Sequence, residues 1–311
     1  MPSDKALHYA HLHVIVFIWG FTAVLGALIS IDAIPLVWYR MGIATVILLL
    51  YLLIRKQPLG YSPKVLLKFA AAGLLIALHW VTFFGAVKEA NVSVTLAVMS
   101  TGAFFTAFLE PLFFKRRIIP YEVLFGLLAM VGLYLIFSVD TQYTLGIGLA
   151  LISAFLGALF NVINGQLVQR YQASVISFYE LGFGALFITM YLLATGQFGI
   201  ELFQLSSSDL IYLLILASVC TAYAFIASVH VMKWISPYTV MLTINLEPVY
   251  GIILALLILG DQEYMSPKFY YGALIILLTV LANPFTPQAG LEEYAEPAPE
   301  DAPRHVTFCG T

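Results

Sequence analysis

Charge is what this chain has least of. Lys, Arg, Asp and Glu together make up 10% of its 311 residues, against about 25% in an average soluble domain. A water-soluble fold, a nucleic-acid-binding surface and a disordered polymer each need more polar surface than that, and all three are excluded. Cysteine is scarce too. Cys220 lies inside an apolar run and Cys309 close to the C-terminus, so neither a disulfide framework nor a cysteine metal site is expected. Also missing are a Gly-x-x-x-x-Gly-Lys-Ser/Thr phosphate loop, a His-Glu-x-x-His zinc motif and any soluble stretch large enough to hold a catalytic domain. The expectation is therefore no cofactor, no metal, no nucleic-acid partner and no enzyme.

What the chain has in abundance is apolar sequence. Hydrophobic residues account for 61% of it, and the mean hydropathy is +0.95, so its solvent is the lipid bilayer. A hydrocarbon core about 30 Å thick needs about 20 apolar residues per helix. Ten runs meet that need, at residues 12–31, 34–54, 66–87, 91–114, 121–139, 144–168, 173–196, 209–232, 236–259 and 267–286. An arrangement with fewer spans, in which a short segment such as 121–139 is re-entrant, is the alternative. The first run is long and lacks a cleavage site followed by soluble sequence, so it reads as a retained span. Residues 1–11 form a short N-terminus. Residues 287–311, with four prolines among five acids, read as a disordered tail.

Positive loops stay on the cytoplasmic side. With ten spans, Lys5, Arg55, Lys56, Lys64, Lys68, Lys115, Arg116, Arg117, Arg170, Lys233 and Arg304 share one side, and Lys88 and Lys268 the other. Both termini are thus expected in the cytoplasm, with the protein in the cell (inner) membrane. The Lys115-Arg116-Arg117 cluster is explained by topology and anionic headgroups.

The chain also repeats itself. Tyr39-Arg40-Met41-Gly42 with Tyr51-Leu52-Leu53 recurs as Tyr179-Glu180-Leu181-Gly182 with Tyr191-Leu192-Leu193. Further on, Thr95 meets Thr239, Arg117 meets Asp261, and Gly126-Leu127-Leu128 meets Gly272-Ala273-Leu274. The halves, 12–139 and 144–286, each hold five spans. An odd number sends the second copy into the membrane from the opposite face, so the repeats are inverted, a recurrent plan among transporters. The fold expected is an all-α integral membrane protein, with two inverted five-helix repeats around a central cavity.

Several short motifs in order resemble the drug/metabolite transporter superfamily, in its EamA-like branch of ten-span bacterial permeases. They are Trp19-Gly20-Phe21, Arg40, the stretch from Asn91 to Lys115 with Glu110-Pro111-Leu112-Phe113, then Asn245-Leu246-Glu247-Pro248-Val249, Leu259-Gly260-Asp261 and Gly272-Ala273-Leu274-Ile275. Asp261 stands where the family often has Glu, and the second glycine usual in the last span is replaced near Leu278. The resemblance implies passive or ion-coupled movement of small metabolites, often aromatic or neutral amino acids, frequently outward.

Polar groups deep in a bilayer cost several kcal/mol unless they face a cavity or a partner, so each is a functional candidate. His79 lies near the middle of the third span with Trp80 beside it and Phe83 one turn on. It reads either as a cavity wall that could carry a proton or as a histidine bonded to a neighbouring helix. Glu247 precedes Pro248, which loosens the helix and frees a carbonyl near Thr243 or Ile244. Asn245 and Glu247 are about 200° apart around a helix and cannot both face one cavity. Ser153, Gly157 and Asn161 step by four along the sixth span, with Asn164 beyond. The small pair reads as packing and the two asparagines as cavity donors. Gly20, Ala23 and Ala27 make a similar small face below Trp19.

Arg40 sits near the end of its span, where its stem could snorkel to water as a rim charge beside Asp32, or it could act as a gate or meet a charge on the substrate; Glu180 is its counterpart in the second half. The expected substrate wall is Trp19, His79, Trp80, Phe83, Met99, Asn161, Asn164, Tyr223 and Asn245. The coupling or gating candidates are His79, Glu247, Arg40 and Glu180. The function expected is a secondary transporter, monomeric or homodimeric, that moves a neutral or zwitterionic metabolite by alternating access; a channel, a non-transporting scaffold and an intramembrane enzyme are the alternatives.

Overall fold

The computed structural model describes residues 4–137, 143–244 and 246–282. The expected tail, Asn245 and the last residues of the fifth and tenth expected spans lie outside the described residues. Every regular element among the described residues is helical. In chain order they are α1 (Asp4–Leu28), α2 (Ala33–Ile54), α3 (Pro63–Glu89), α4 (Val92–Met99), α5 (Gly102–Phe114), α6 (Pro120–Phe137), α7 (Thr144–Leu167), α8 (Ala173–Ala194), α9 (Ser207–Ala217), α10 (Ala224–Val231), α11 (Pro237–Ile244), α12 (Glu247–Leu259) and α13 (Pro267–Ala282). Seven continuous segments are long and apolar enough to cross a membrane: Leu7–Leu28, Ala33–Ile54, Pro63–Glu89, Val92–Phe114, Thr144–Leu167, Ala173–Ala194 and Ser207–Val231. The protein is therefore an all-helical, multi-pass membrane protein.

Lipid imposes this choice, because backbone groups with no water nearby must bond within their own segment, as in a helix. The boundaries follow local punctuation. Pro63, Pro120, Pro237 and Pro267 each open a helix, where the missing N–H would have had no partner. Past the end of α2, Lys56 takes φ 49°, and its N–H donates to Leu53 O while that of Gln57 donates to Leu52 O. Past α8, Gly196 takes φ 71°, and Gly196 and Gln197 donate to Leu193 O and Leu192 O in the same pattern. Lys115 at φ 55° and Gly260 at φ 69° close α5 and α12. These left-handed residues fall in pairs, 56 with 196 and 115 with 260, at separations of 140 and 145 residues.

Three expected spans are not simple helices. The fourth is broken between α4 and α5, where Ser100 and Thr101 turn their hydroxyls onto Leu96 O (3.3 Å) and Val98 O (2.9 Å) and compete with the backbone ladder. The ninth is broken between α11 and α12. Pro248, in the first turn of α12, has no N–H for the carbonyl of Ile244 four residues back. The eighth runs from α9 to α10 through a π-turn at Ser218–Tyr223, with the Thr221 hydroxyl donating to Leu216 O at 2.7 Å.

In the packing, α1 lies along α12 and α7 along α5, while α2 lies along α8, α6 along α13, and α3 against both α7 and α8. The α1–α12 crossing is close enough to require glycine: a Cβ on Gly20 would meet Tyr250 Cβ at 2.9 Å and Gly251 N at 3.0 Å. Of the small face expected on α1, Gly20 and Ala23 are buried, whereas Ala27 is exposed. The rotation from Ala23 to Ala27 carries it past the edge of the packed stripe. Large apolar side chains point outward as a lipid surface, with Ile54 78% and Leu257 76% exposed. Several of the most polar side chains, Arg40, Glu110, Glu180 and Asn164 among them, are buried inside.

Candidate functional site

The two helix breaks meet one cavity. It holds about 660 Å³ of open space including its mouth, and Met99 at the end of α4, Ile244 at the end of α11 and Glu247 at the start of α12 all line it. Its remaining wall comes from α1 (Trp19, Thr22), α2 (Arg40), α3 (Ile76, His79, Trp80, Phe83), α7 (Gly157, Phe160, Asn161), α10 (Phe225, Ser228) and Met241 of α11. The wall has the usual make-up of a ligand site, mostly apolar and aromatic with a few convergent polar groups. Trp80 meets Phe225 edge-on at 5.7 Å between ring centroids, and Phe225 stacks on Phe160 at 5.5 Å.

Several polar groups on the wall are held from behind. His79 Nδ1 lies 2.8 Å from the carbonyl of Ser153 and 2.9 Å from its hydroxyl, while that hydroxyl donates to His79 O at 2.8 Å. A carbonyl only accepts, so Nδ1 carries the ring proton and Nε2 is the accepting nitrogen of the neutral imidazole. His79 is thus bonded to a neighbouring helix and on the cavity wall at once, and Ser153 and Gly157 are its packing surface on α7. Asn161 donates through Nδ2 to Gly157 O at 2.9 Å and contacts Met241 Sδ at 2.8 Å.

Arg40 is not a rim charge. It is 1% exposed, its Nε donates to Thr221 Oγ1 at 2.6 Å, and the guanidinium carbon sits 3.7 Å from the centroid of Trp80. Asp32, the partner weighed from sequence, is exposed and makes no ion pair with it among the described residues. The π-turn brings Thr221 into reach, and such an irregularity could not be foreseen from spacing. Across the cavity the acidic group facing Arg40 electrostatically is Glu247, whose carboxyl makes no hydrogen bond or ion pair among the described residues.

Of the residues picked from sequence, Trp19, Arg40, His79, Trp80, Phe83, Met99, Asn161 and Glu247 come together on the wall. Asn164 does not. It is buried below, donating to Glu180 Oε2 at 3.4 Å, and Glu180 is itself fully buried, with Oε1 unpartnered among the described residues, and does not line the cavity. Tyr223 points outward, 48% exposed, with its hydroxyl 3.0 Å from His11 Nε2. Asn245 lies outside the described residues. The sequence reading missed Thr22, Ile76, Phe160, Phe225, Ser228 and Met241. Phe160 adjoins Asn161, and Phe225 and Ser228 share a helix face at i, i+3, but phenylalanines in an apolar helix carry no pattern that marks them, and Ser228 spends its hydroxyl on Phe225 O at 2.9 Å.

The outer ends of the two half-helices are each held by a carboxylate from the opposite half of the chain. Glu263 accepts from the N–H groups of Val92 (3.1 Å) and Ser93 (2.9 Å) and from the Ser93 hydroxyl (2.8 Å), closing the start of α4. Glu110 accepts from the N–H of Tyr238 at 2.5 Å, closing the start of α11. Arg116 then bridges Glu110 at 3.2 Å and Glu122 at 2.7 Å. Anionic groups at helix N-termini are favoured by the orphan N–H groups and the helix dipole. Each half-helix has eight residues, so each latch lies about 12 Å from the cavity end of its half-helix.

A crystal structure with 15% sequence identity superposes on this fold with a TM-score of 0.66, covering 89% of this chain and 96% of its own. A protein of Clostridium kluyveri described as an uncharacterized transporter is 22% identical over 207 residues, which span 64% of this chain and 65% of that relative. A stretch of 35 residues, 11% of the chain, is 57% identical to a stretch covering 7% of the protein nucleotidyltransferase YdiU of Sphingopyxis alaskensis. The sequence model of the EamA-like transporter family matches the chain twice, at residues 9–138 and again at 144–283, nearly the whole of its apolar sequence. The chain belongs to the EamA-like transporter family.

Proposed function

We propose that the protein is a ten-span secondary carrier of inverted repeats, 12–139 and 144–286, that exports neutral or zwitterionic amino acids across the cell membrane by alternating access. In this reading both termini are cytoplasmic, and the carrier works as a monomer or homodimer. The observation that carries it is the meeting of two broken helices, one from each half, at a single cavity. Broken helices in corresponding positions of two repeats are where carriers of this design bind their cargo. The twofold family match, the paired left-handed residues and the exchange of partners between α1–α12 and α7–α5 support the repeat.

The mechanism follows from the latches. In this topology Glu263 and the start of α4 lie on the outer face, and Glu110 and the start of α11 on the inner face. Each latch joins the two repeats at one face, so releasing one while keeping the other rocks the repeats about the cavity. Both are closed in this structure. Cargo rests against Trp80, Phe83, Phe160 and Phe225, with its polar end among Arg40, His79, Asn161 and Glu247.

The test is counterflow in proteoliposomes. Vesicles loaded with unlabelled neutral amino acids are expected to accumulate the labelled compound transiently and with saturation. Linear, unsaturated flux would indicate a channel, and no flux from folded protein across a broad metabolite panel would sink the carrier reading.

A further inference from the structure

The Arg40 guanidinium offers five N–H donors from a position almost wholly out of contact with solvent. One edge is committed: Nε donates to Thr221 Oγ1 at 2.6 Å and Nη2 to Cys220 O at 3.5 Å. The Thr221 hydroxyl hydrogen is itself given to Leu216 O, so this oxygen faces Arg40 as a fixed acceptor. One face is committed as well, over Trp80 at 3.7 Å, with Phe84 at 5.5 Å. The outer edge is not. Nη1 is buried and has no hydrogen-bond partner among the described residues, while Arg40 lines the cavity.

A buried charge with an orphan donor is costly unless an oppositely charged group completes it. Glu247 is the acid that shares the cavity, and it stands without an ion pair to Arg40. Arg40 is thus committed along one edge and over one face, with Nη1 left unpartnered among the described residues and the Glu247 carboxyl, without an ion pair among them, sharing the same cavity. The planar fork of an arginine matches the two oxygens of a carboxylate.

We propose that the Nη1 edge of Arg40 is the anchor for the carboxylate of the cargo, which is a zwitterionic amino acid with an apolar side chain. Its ammonium group lies towards Glu247 and the accepting Nε2 of His79, and its side chain against Phe160 and Phe225. The π-turn at Ser218–Tyr223 is then a positioning device that holds the guanidinium rigid from behind. This assignment rests on the carrier reading above and adds to it the group that the site recognises.

The experiment compares L-phenylalanine with L-phenylalaninamide, equal in shape but without the carboxylate charge. Each competes in counterflow with labelled L-phenylalanine and is tested for stabilisation of the detergent-solubilised protein. For the wild type, the acid is expected to compete at least about tenfold more strongly than the amide, the factor carried by one hydrogen bond to a charged group. Arg40→Gln is expected to bring that ratio close to one, and Arg40→Lys, which keeps the charge but not the fork, to give an intermediate ratio. A merely structural role for Arg40 would lower both ligands together and leave the ratio unchanged. Equal competition by acid and amide in the wild type overturns the anchor while leaving the carrier intact, and it needs no variant to fold. So does an unchanged ratio in folded Arg40→Gln. Saturable exchange of other metabolites but of no amino acid also overturns it, and with it the proposed cargo class.

Discussion

The Glu263 latch gives the sharpest test of how the two faces alternate. Its carboxylate accepts three hydrogen bonds at 2.8–3.1 Å from Val92 and Ser93, in a side chain 3% exposed. Glu263→Gln keeps the shape but leaves one accepting oxygen and turns an NH₂ group towards donors. A hydrogen bond to a charged acceptor contributes about 1.5–3 kcal/mol, so a net loss of about 2 kcal/mol is expected from the state with this latch closed. That shifts a two-state equilibrium about 30-fold towards the state with the latch open. A cysteine at Met99, on the cavity wall, reports the change when a membrane-impermeant maleimide is applied from outside; wild type with Cys220 and Cys309 serves as background. Labelling of Met99→Cys is expected to quicken about tenfold or more when Glu263→Gln is added, and to slow when Glu110→Gln is added instead. Unchanged labelling in both variants, at normal expression, or the same direction of change in both, would refute the two-latch mechanism.

Other outcomes follow from the same contacts. Gly20→Ala drives a Cβ into Tyr250 Cβ and the backbone N of Gly251 at 2.9 and 3.0 Å; it is expected to cost about 1–3 kcal/mol, measured as a lowered Tm in detergent. Glu247→Gln is expected to weaken counterflow and to abolish the response of net transport to a pH gradient, since its carboxyl lines the wall beside the cargo; a gradient response equal to wild type would remove it from coupling. Trp80→Leu removes the ring beneath Arg40 and is expected to raise the KM for cargo about 3- to 30-fold with a smaller effect on kcat, as read from initial rates.

The general class of this protein was open to reading without coordinates, because a bilayer leaves so few solutions. Long apolar runs, scarce charge and positive loops dictate helices that cross the membrane, and Pro63, Pro120, Pro237 and Pro267 mark where several begin. Polar residues in such runs are rare enough to be singled out one by one, which is why His79, Asn161, Glu247 and Arg40 were named and are found together. The line of chain did not decide their setting. Arg40 looked like a rim charge because distance along a helix was taken for depth, whereas a π-turn on another helix supplies its partner and packing removes it from water. Asn164 looked like a cavity donor and Glu180 like a gating group near a helix end, and the two instead face each other. The aromatic wall of Phe160 and Phe225 and the carboxylate latches at Glu110 and Glu263 join positions far apart in sequence. Solvent and hydrogen-bond economy act locally and leave a pattern along the chain; which face of each helix meets which neighbour depends on packing among all of them, and only the tertiary structure holds it.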